Sequence, residues 1–177
     1  MQINIKTPGT EEEVTALRPL FEDYLKCTYW AERVLAQAFE RTLKHISSKD
    51  FVRMMTLHTI NTKMHSDRLE KIFKSIGIQP EERKFDAIES LISDLDSIVD
   101  QTDIGAVRDA ALIAIVQLII HCEIATYGTL KSFAISLKEE DVVTLLEKNL
   151  EDEKNLDLKL SVIAEAYIND EAANKEI

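Results

Sequence analysis

Glu32, His58, His65, Glu123 and Glu153 are the residues of this 177-residue chain whose types and spacing could do chemistry together. Each interrupts an apolar stripe that resumes beyond it. Glu32 lies on the line Phe21, Leu25, Thr28, Glu32, Leu35, Phe39, whose steps of three and four residues fall on one face of a helix. His58, Thr62 and His65 follow one another by four and three residues, between Met54 and Leu69. Glu123 falls with Val116, Ile119, Ile120, Tyr127 and Leu130. Glu153 falls with Val142, Leu146, Asn149, Leu156, Leu160 and Ile163. A charge buried without a partner costs several kcal/mol. Three carboxylates and an imidazole in one core layer therefore demand compensation, and such oxygen and nitrogen ligands suit iron, manganese or zinc. A metal-free polar layer is the alternative, with Glu and His bonded to each other, to Tyr24, Tyr127 or Asn149, and a carboxyl protonated where needed.

The elements that must position these residues are helices. Few glycines and prolines punctuate the chain (4 and 3), as long uninterrupted helices require. Thr10 followed by Glu13 has the spacing of a capping box, and an apolar stripe from Leu17 to Ile46 follows it. Ser47 and Ser48 break that helix. A second helix is predicted over about 50–76, with Gly77 as its terminator. The connection 77–103 carries a short helix over about 85–99, and a third long helix runs from near Asp103 to about Leu137. Ser136 with Glu139 has a second capping-box spacing and opens a fourth helix that reaches about Asn169, leaving a frayed polar tail at 170–177. A 27-residue helix is about 40 Å long, a span the middle connection can cross. The expectation is a single all-α domain, ordered over about 10–169. It is a ferritin-like four-helix bundle, two antiparallel helix pairs joined by a long crossover with a short extra helix. Glu32, the Thr62–His65 pair, Glu123 and Glu153 lie near the middles of their helices, so packing the helices side by side brings them to one level.

The net charge of −11 argues against nucleic acid as a partner and against anionic membrane surfaces. The N-terminal residues lack the apolar run of a secretory signal. The most apolar stretch, about 110–120, is too short to span a bilayer and reads as a buried central helix. Cys27 and Cys122 make no disulfide framework and read as free packed thiols, consistent with a reducing cytoplasm. His121 lies about 200° around its helix from Glu123. Its face carries Ala114, Ala125 and Gly128 and is expected to pack on another helix or a second subunit. Nucleophile motifs, a phosphate-binding glycine loop and the His-Glu-x-x-His zinc motif are all absent, which leaves a hydrolytic enzyme without support.

Four segments, LFEDYLKCTYWAE, HTINTKMHSDRLEKIFKSIG, VRDAALIAIVQLIIHCEIATYGTL and LLEKNLEDEKNLDLKL, resemble the YciF/YciE-type ferritin-like bacterial proteins, in order and over about 20–169. The resemblance implies a rubrerythrin-like bundle in a stress-associated, cytoplasmic, dimeric protein. It matches Glu32 to the acid of the first helix, Glu123 to the second acid of an E-H-Y-E run and Glu153 to the second acid of E-E-K. His65, three residues before Arg68-Leu69, takes the place of the histidine in rubrerythrin's E-x-x-H. Thr62 stands at that motif's glutamate, Ile120 at the first acid of E-H-Y-E, Cys122 at its tyrosine, Asp152 at the first acid of E-E-K and Leu156 at a second histidine.

What remains is Glu32, His65, Glu123 and Glu153, with Asp152 or His58 near. That set could hold one divalent metal, a weakened pair, or none. Two functions follow. One is a metal-binding protein of oxidative or metal stress, in which iron bridged by Glu32 and Glu123 would meet oxygen or peroxide; lacking a Cys-x-x-Cys module, it would need an external electron donor. The other is a non-enzymatic structural or interaction homodimer whose site is degenerate.

Overall fold

The computed structural model describes residues 11–174, with side chains from Leu17 onward. Helix α1 (Glu11–Thr42) ends in a 3-10 turn, Leu43–His45. Helix α2 (Lys49–Ser75) follows, then α3 (Asp86–Gln101), α4 (Ala106–Ser136) and α5 (Glu140–Ile163). A π-helical turn, Ala164–Ile168, leads into α6 (Asn169–Ala173). Among the described residues there are no strands.

Polar contacts at the two ends establish the direction of each helix. Asp109, at the start of α4 and buried, accepts from the Ser47 amide (2.9 Å), the Ser47 hydroxyl (2.7 Å) and the Ser48 amide (2.7 Å). Arg18 near the other end of α1 pairs with Glu139, the N-cap of α5. Helices α1 and α5 therefore run one way, and α2 and α4 the other. Helix α3 climbs beside α1, from the level of Cys27, where Arg83 Nε donates to Cys27 Sγ at 3.1 Å, to Arg41, which pairs with Asp96 at 3.2 Å. This is the expected bundle of two antiparallel pairs with a helical crossover. Buried Arg108 secures the far end of that crossover by donating to Val99 O (2.9 Å) and Thr102 Oγ1 (3.1 Å).

The apolar core is in two parts. Leu35, Phe39, Phe51, Met55, Leu112, Val116 and Ile119 fill one end, and Phe21, Leu25, Phe73, Leu130, Val142 and Leu146 the other. Each such side chain contributes about 1.5–3 kcal/mol relative to exposure. Between the two parts lies a layer of buried polar groups: Thr28, Glu32, His58, Thr62, His65, Glu123, Asn149 and Glu153.

Three local expectations come out differently. Ser136 caps nothing on α5; it is the last residue of α4 and its hydroxyl bonds back to Ser132 O. Helix α4 instead ends in a Schellman turn, with Lys138 at φ 61 and Glu139 N donating to Ala134 O at 3.0 Å. Gly77 ends α2 in the same way, at φ 77, with Ile78 N donating to Phe73 O at 3.0 Å. The apolar run in α4 extends well past 110–120, so the helix is long and apolar enough to cross a membrane by length and composition. Half of its most apolar window is buried against this chain (50 %), because α1, α3 and α5 all pack on it. The tail remains helical to Ala173, carried by the π turn that buries Ile168 and brings Tyr167 Oη to Ser48 Oγ at 2.6 Å. On the face around His121, expected to pack on another helix or a second subunit, His121, Ala114 and Ala125 are exposed in this chain and Gly128 is half-buried. Of the capping box read at Thr10 and Glu13, Thr10 and the side chain of Glu13 lie outside the described residues.

Candidate metal centre

Each long helix delivers its polar residue to the middle layer because the residue occupies a core position of its stripe. Glu32, His65 and Glu153 are fully buried, His58 and Glu123 nearly so. His65 Nδ1 lies 3.2 Å from Glu32 Oε1 and 3.3 Å from Glu153 Oε1. His58 Nδ1 lies 3.9 Å from the same Glu153 oxygen. Glu153 is thus placed between two imidazoles, both from α2. His58, Glu123 and Glu153 each offer a ligand atom within 4.8 Å of the others. Leu156 supplies no imidazole from α5, but His58 brings one into the layer from α2. Thr62 bonds its hydroxyl to His58 O at 2.9 Å, inside its own helix.

Asp152 takes a different place. As the residue before Glu153 it points about 100° away on the helix, and it is half-buried at the edge of the layer. Its Oδ2 meets His65 Nε2 at 3.3 Å and accepts from Arg68 Nη1 at 2.7 Å. Arg68 also donates to Asn149 Oδ1 (2.8 Å), whose amide donates to Tyr127 Oη (3.1 Å), and Tyr127 donates to Glu32. Arg68 therefore holds two arms that end on His65 and on Glu32. The sequence reading did not single Arg68 out as part of the site; its position three residues after His65, on the same helical face, was the available signal.

Protonation follows from burial and from neighbours. Burial alone would lower His65, but the Glu32 carboxylate and the bond to Asp152 raise its pKa to about 9. Burial, with His65 beside it, lowers His58 to about 3, so that ring is neutral and able to coordinate. Glu123 is raised well above the ordinary carboxylate value by burial and then by Glu153 and Glu32; Glu153 is raised by burial and then by Glu32 and Asp152. The bond to His65 lowers Asp152 to about 2.

Whether this layer fits a metal is answered by its unsatisfied atoms. Tyr127 and Asn149 bond as the metal-free alternative requires, whereas Tyr24 has an exposed side chain and meets the layer only through its backbone carbonyl, which accepts from the Thr28 hydroxyl at 2.8 Å. Glu32 Oε2, His58 Nε2 and both carboxylate oxygens of Glu123 and of Glu153 are nevertheless buried with no hydrogen-bond partner. Buried polar groups in folded proteins are almost always paired. Here six atoms in one layer lack a hydrogen bond, Glu153 Oε1 having only the ion-pair contact with His65, and they belong to the chemical class that holds a divalent transition metal. The set differs from a di-iron site of four carboxylates and two histidines. It has three glutamates and two histidines, with Asp152 on the outer nitrogen of His65. The two cysteines are apart from it and free; burial pushes both thiols up.

Comparison with known proteins agrees with this architecture. Protein YciF of Escherichia coli K12 is 32% identical over 160 residues, covering 90% of this chain and 96% of that protein. The crystal structure of the E. coli stress protein YciF superposes with a TM-score of 0.83, at 32% identity, over 86% of this chain and 97% of that one. YcfI of Rhodopseudomonas palustris gives 0.79 at 30% identity, over 91% and 97% of the two chains. A protein from Xanthomonas campestris pv. campestris, 19% identical, shares the fold with a TM-score of 0.73 over 91% and 99%. Residues 16–173 match the family described as a domain of unknown function, DUF892. The chain belongs to the DUF892 family and is a homologue of YciF.

Proposed function

We propose that this chain is a metal-binding member of its family, holding iron or a similar divalent metal in the mid-bundle layer and serving in oxidative or metal stress. The observation that carries the reading is the set of six buried carboxylate and imidazole atoms without hydrogen-bond partners. Glu123, Glu153 and His58 are the central ligands, and Glu32 and the Nδ1 atom of His65 complete the set from the side of Tyr127. A bound metal of this class supplies Lewis acidity and one-electron exchange. The protein's own residues do the rest. Asp152 and Arg68 orient His65, Tyr127 holds one oxygen of Glu32, and Phe39, with its ring centroid 4.7 Å from that of His58, shields that imidazole from water. Electrons for a redox cycle would come from an external donor, since the sequence carries no Cys-x-x-Cys module and both cysteines are free. We place the protein in the cytoplasm as a homodimer.

The test is elemental analysis of protein purified without chelator, beside a Glu123→Ala, His65→Ala variant. Near-stoichiometric iron, manganese or zinc, lost in the variant, is the expected result. A second reading, a structural or interaction dimer with a degenerate site, is favoured by Glu32, which already receives Tyr127 and His65 without a metal. Failure to take up metal after anaerobic loading would select that reading.

A further inference from the structure

The five central residues are at most 4% exposed, so an ion reaches them only by a path through the helices. We infer that the groove between α2 and α5 above His58 is the port by which a divalent cation enters the mid-bundle site. This rests on the metal-binding reading above.

The groove is a cavity of about 180 Å³ whose walls include His58, Asn61, Asp152, Asn155, Leu156 and Lys159. A water molecule needs about 10–15 Å³ of such space, so a partly hydrated ion fits. Two of those residues connect it to the site. His58 belongs to the metal-compatible cluster and has a buried, unpartnered Nε2, and Asp152 bonds His65. Other depressions, beside Cys27 and Arg83, around Gly77 and beside His45, are lined by no residue of the layer. The wall chemistry suits a hard, hydrated cation: the amide oxygens of Asn61 and Asn155 and the carboxylate of Asp152 can replace its waters in turn. Leu156 at the inner wall offers no competing ligand. Lys159 is the one cationic side chain lining the groove, and its charge opposes the incoming ion.

The experiment follows uptake of cobalt(II) by metal-free full-length protein, by stopped-flow absorption of the bound ion, for wild type, Asn155→Trp and Lys159→Glu. Filling the groove with Asn155→Trp makes uptake wait for an opening motion, slowing it about tenfold or more while final stoichiometry stays that of wild type. Lys159→Glu speeds uptake several-fold at low salt, and the difference vanishes at high ionic strength. Wild-type rates in both variants overturn the port and leave the metal site standing. A wild-type protein that binds no cobalt overturns the site and the port together. Should Asn155→Trp fail to fold, Lys159→Glu decides alone.

Discussion

His65 Nε2 lies 3.3 Å from Asp152 Oδ2, and that same oxygen accepts a 2.7 Å bond from Arg68. The outer nitrogen of the ring is thus tied to a carboxylate that is itself held, which leaves Nδ1 to face Glu32 and Glu153. In metal sites an outer carboxylate of this kind orients the imidazole and strengthens it as a ligand.

Replacing that carboxylate should therefore weaken the site without dismantling the bundle. Asp152→Ala is expected to lower metal affinity by about 10–100-fold, measured by competition with a chelator, with the helical circular dichroism unchanged. Wild-type affinity in the variant would show that Asp152 plays no part in orienting His65.

Metal affinity should also climb with pH. In the metal-free protein the His65 pKa is about 9, so below that pH the ring must shed a proton before Nδ1 can coordinate. Affinity is expected to rise up to about pH 9 and then level. The same shift acts on stability. Because the folded value lies above the unfolded value of 6.5, its stabilising contribution is complete below 6.5 and is lost as pH rises through about 9. Metal-free protein should melt at a lower temperature at pH 9 than at 6.5. Flat affinity from pH 6 to 9 would contradict the argument.

Removing a buried charge should separate binding from stability. Glu123→Gln keeps the shape of a carboxyl that burial, Glu153 and Glu32 all push toward the protonated form. The variant should lose metal. At pH 8 its metal-free form should gain stability of about 1–3 kcal/mol, the cost of a buried group without a hydrogen-bond partner. The gain should be smaller at pH 5 than at pH 8, because lowering the pH favours the protonated form of the native carboxyl. Denaturant melts at the two pH values check both.

Lys138 offers a test away from the site. It holds the left-handed position that ends α4, at φ 61, where a side chain costs about 1–2 kcal/mol. Lys138→Gly should stabilise the protein by about 1 kcal/mol, less than the full strain because glycine loses more freedom on folding. Lys138→Ala should give no such gain in a thermal melt.

Helix α2 shows how much of the fold was legible. Its predicted span of about 50–76 lies within a residue of Lys49–Ser75, since Ser48 caps one end and Gly77 the other, both by local chemistry. The start of α5 was misplaced for the converse reason. Ser136 and Glu139 have capping spacing, but packing carries α4 through Ser136, and the turn closes on Lys138, whose left-handed backbone no sequence rule for lysine suggests.

The sequence alone determined that Glu32, His65, Glu123 and Glu153 occupy core faces at mid-helix, with His58 on the same stripe as His65, because the 3.6-residue period assigns a face to every position. It also carried enough of the family pattern to place the chain among its relatives. Tertiary structure decided what each atom meets: Glu153 between two imidazoles, Asp152 on the outer nitrogen of His65, Arg68 joining both arms, and His58 at the floor of a groove. Periodicity describes one helix at a time. Which nitrogen faces which oxygen depends on the separation and rotation of neighbouring helices, and those are set by how their side chains interlock.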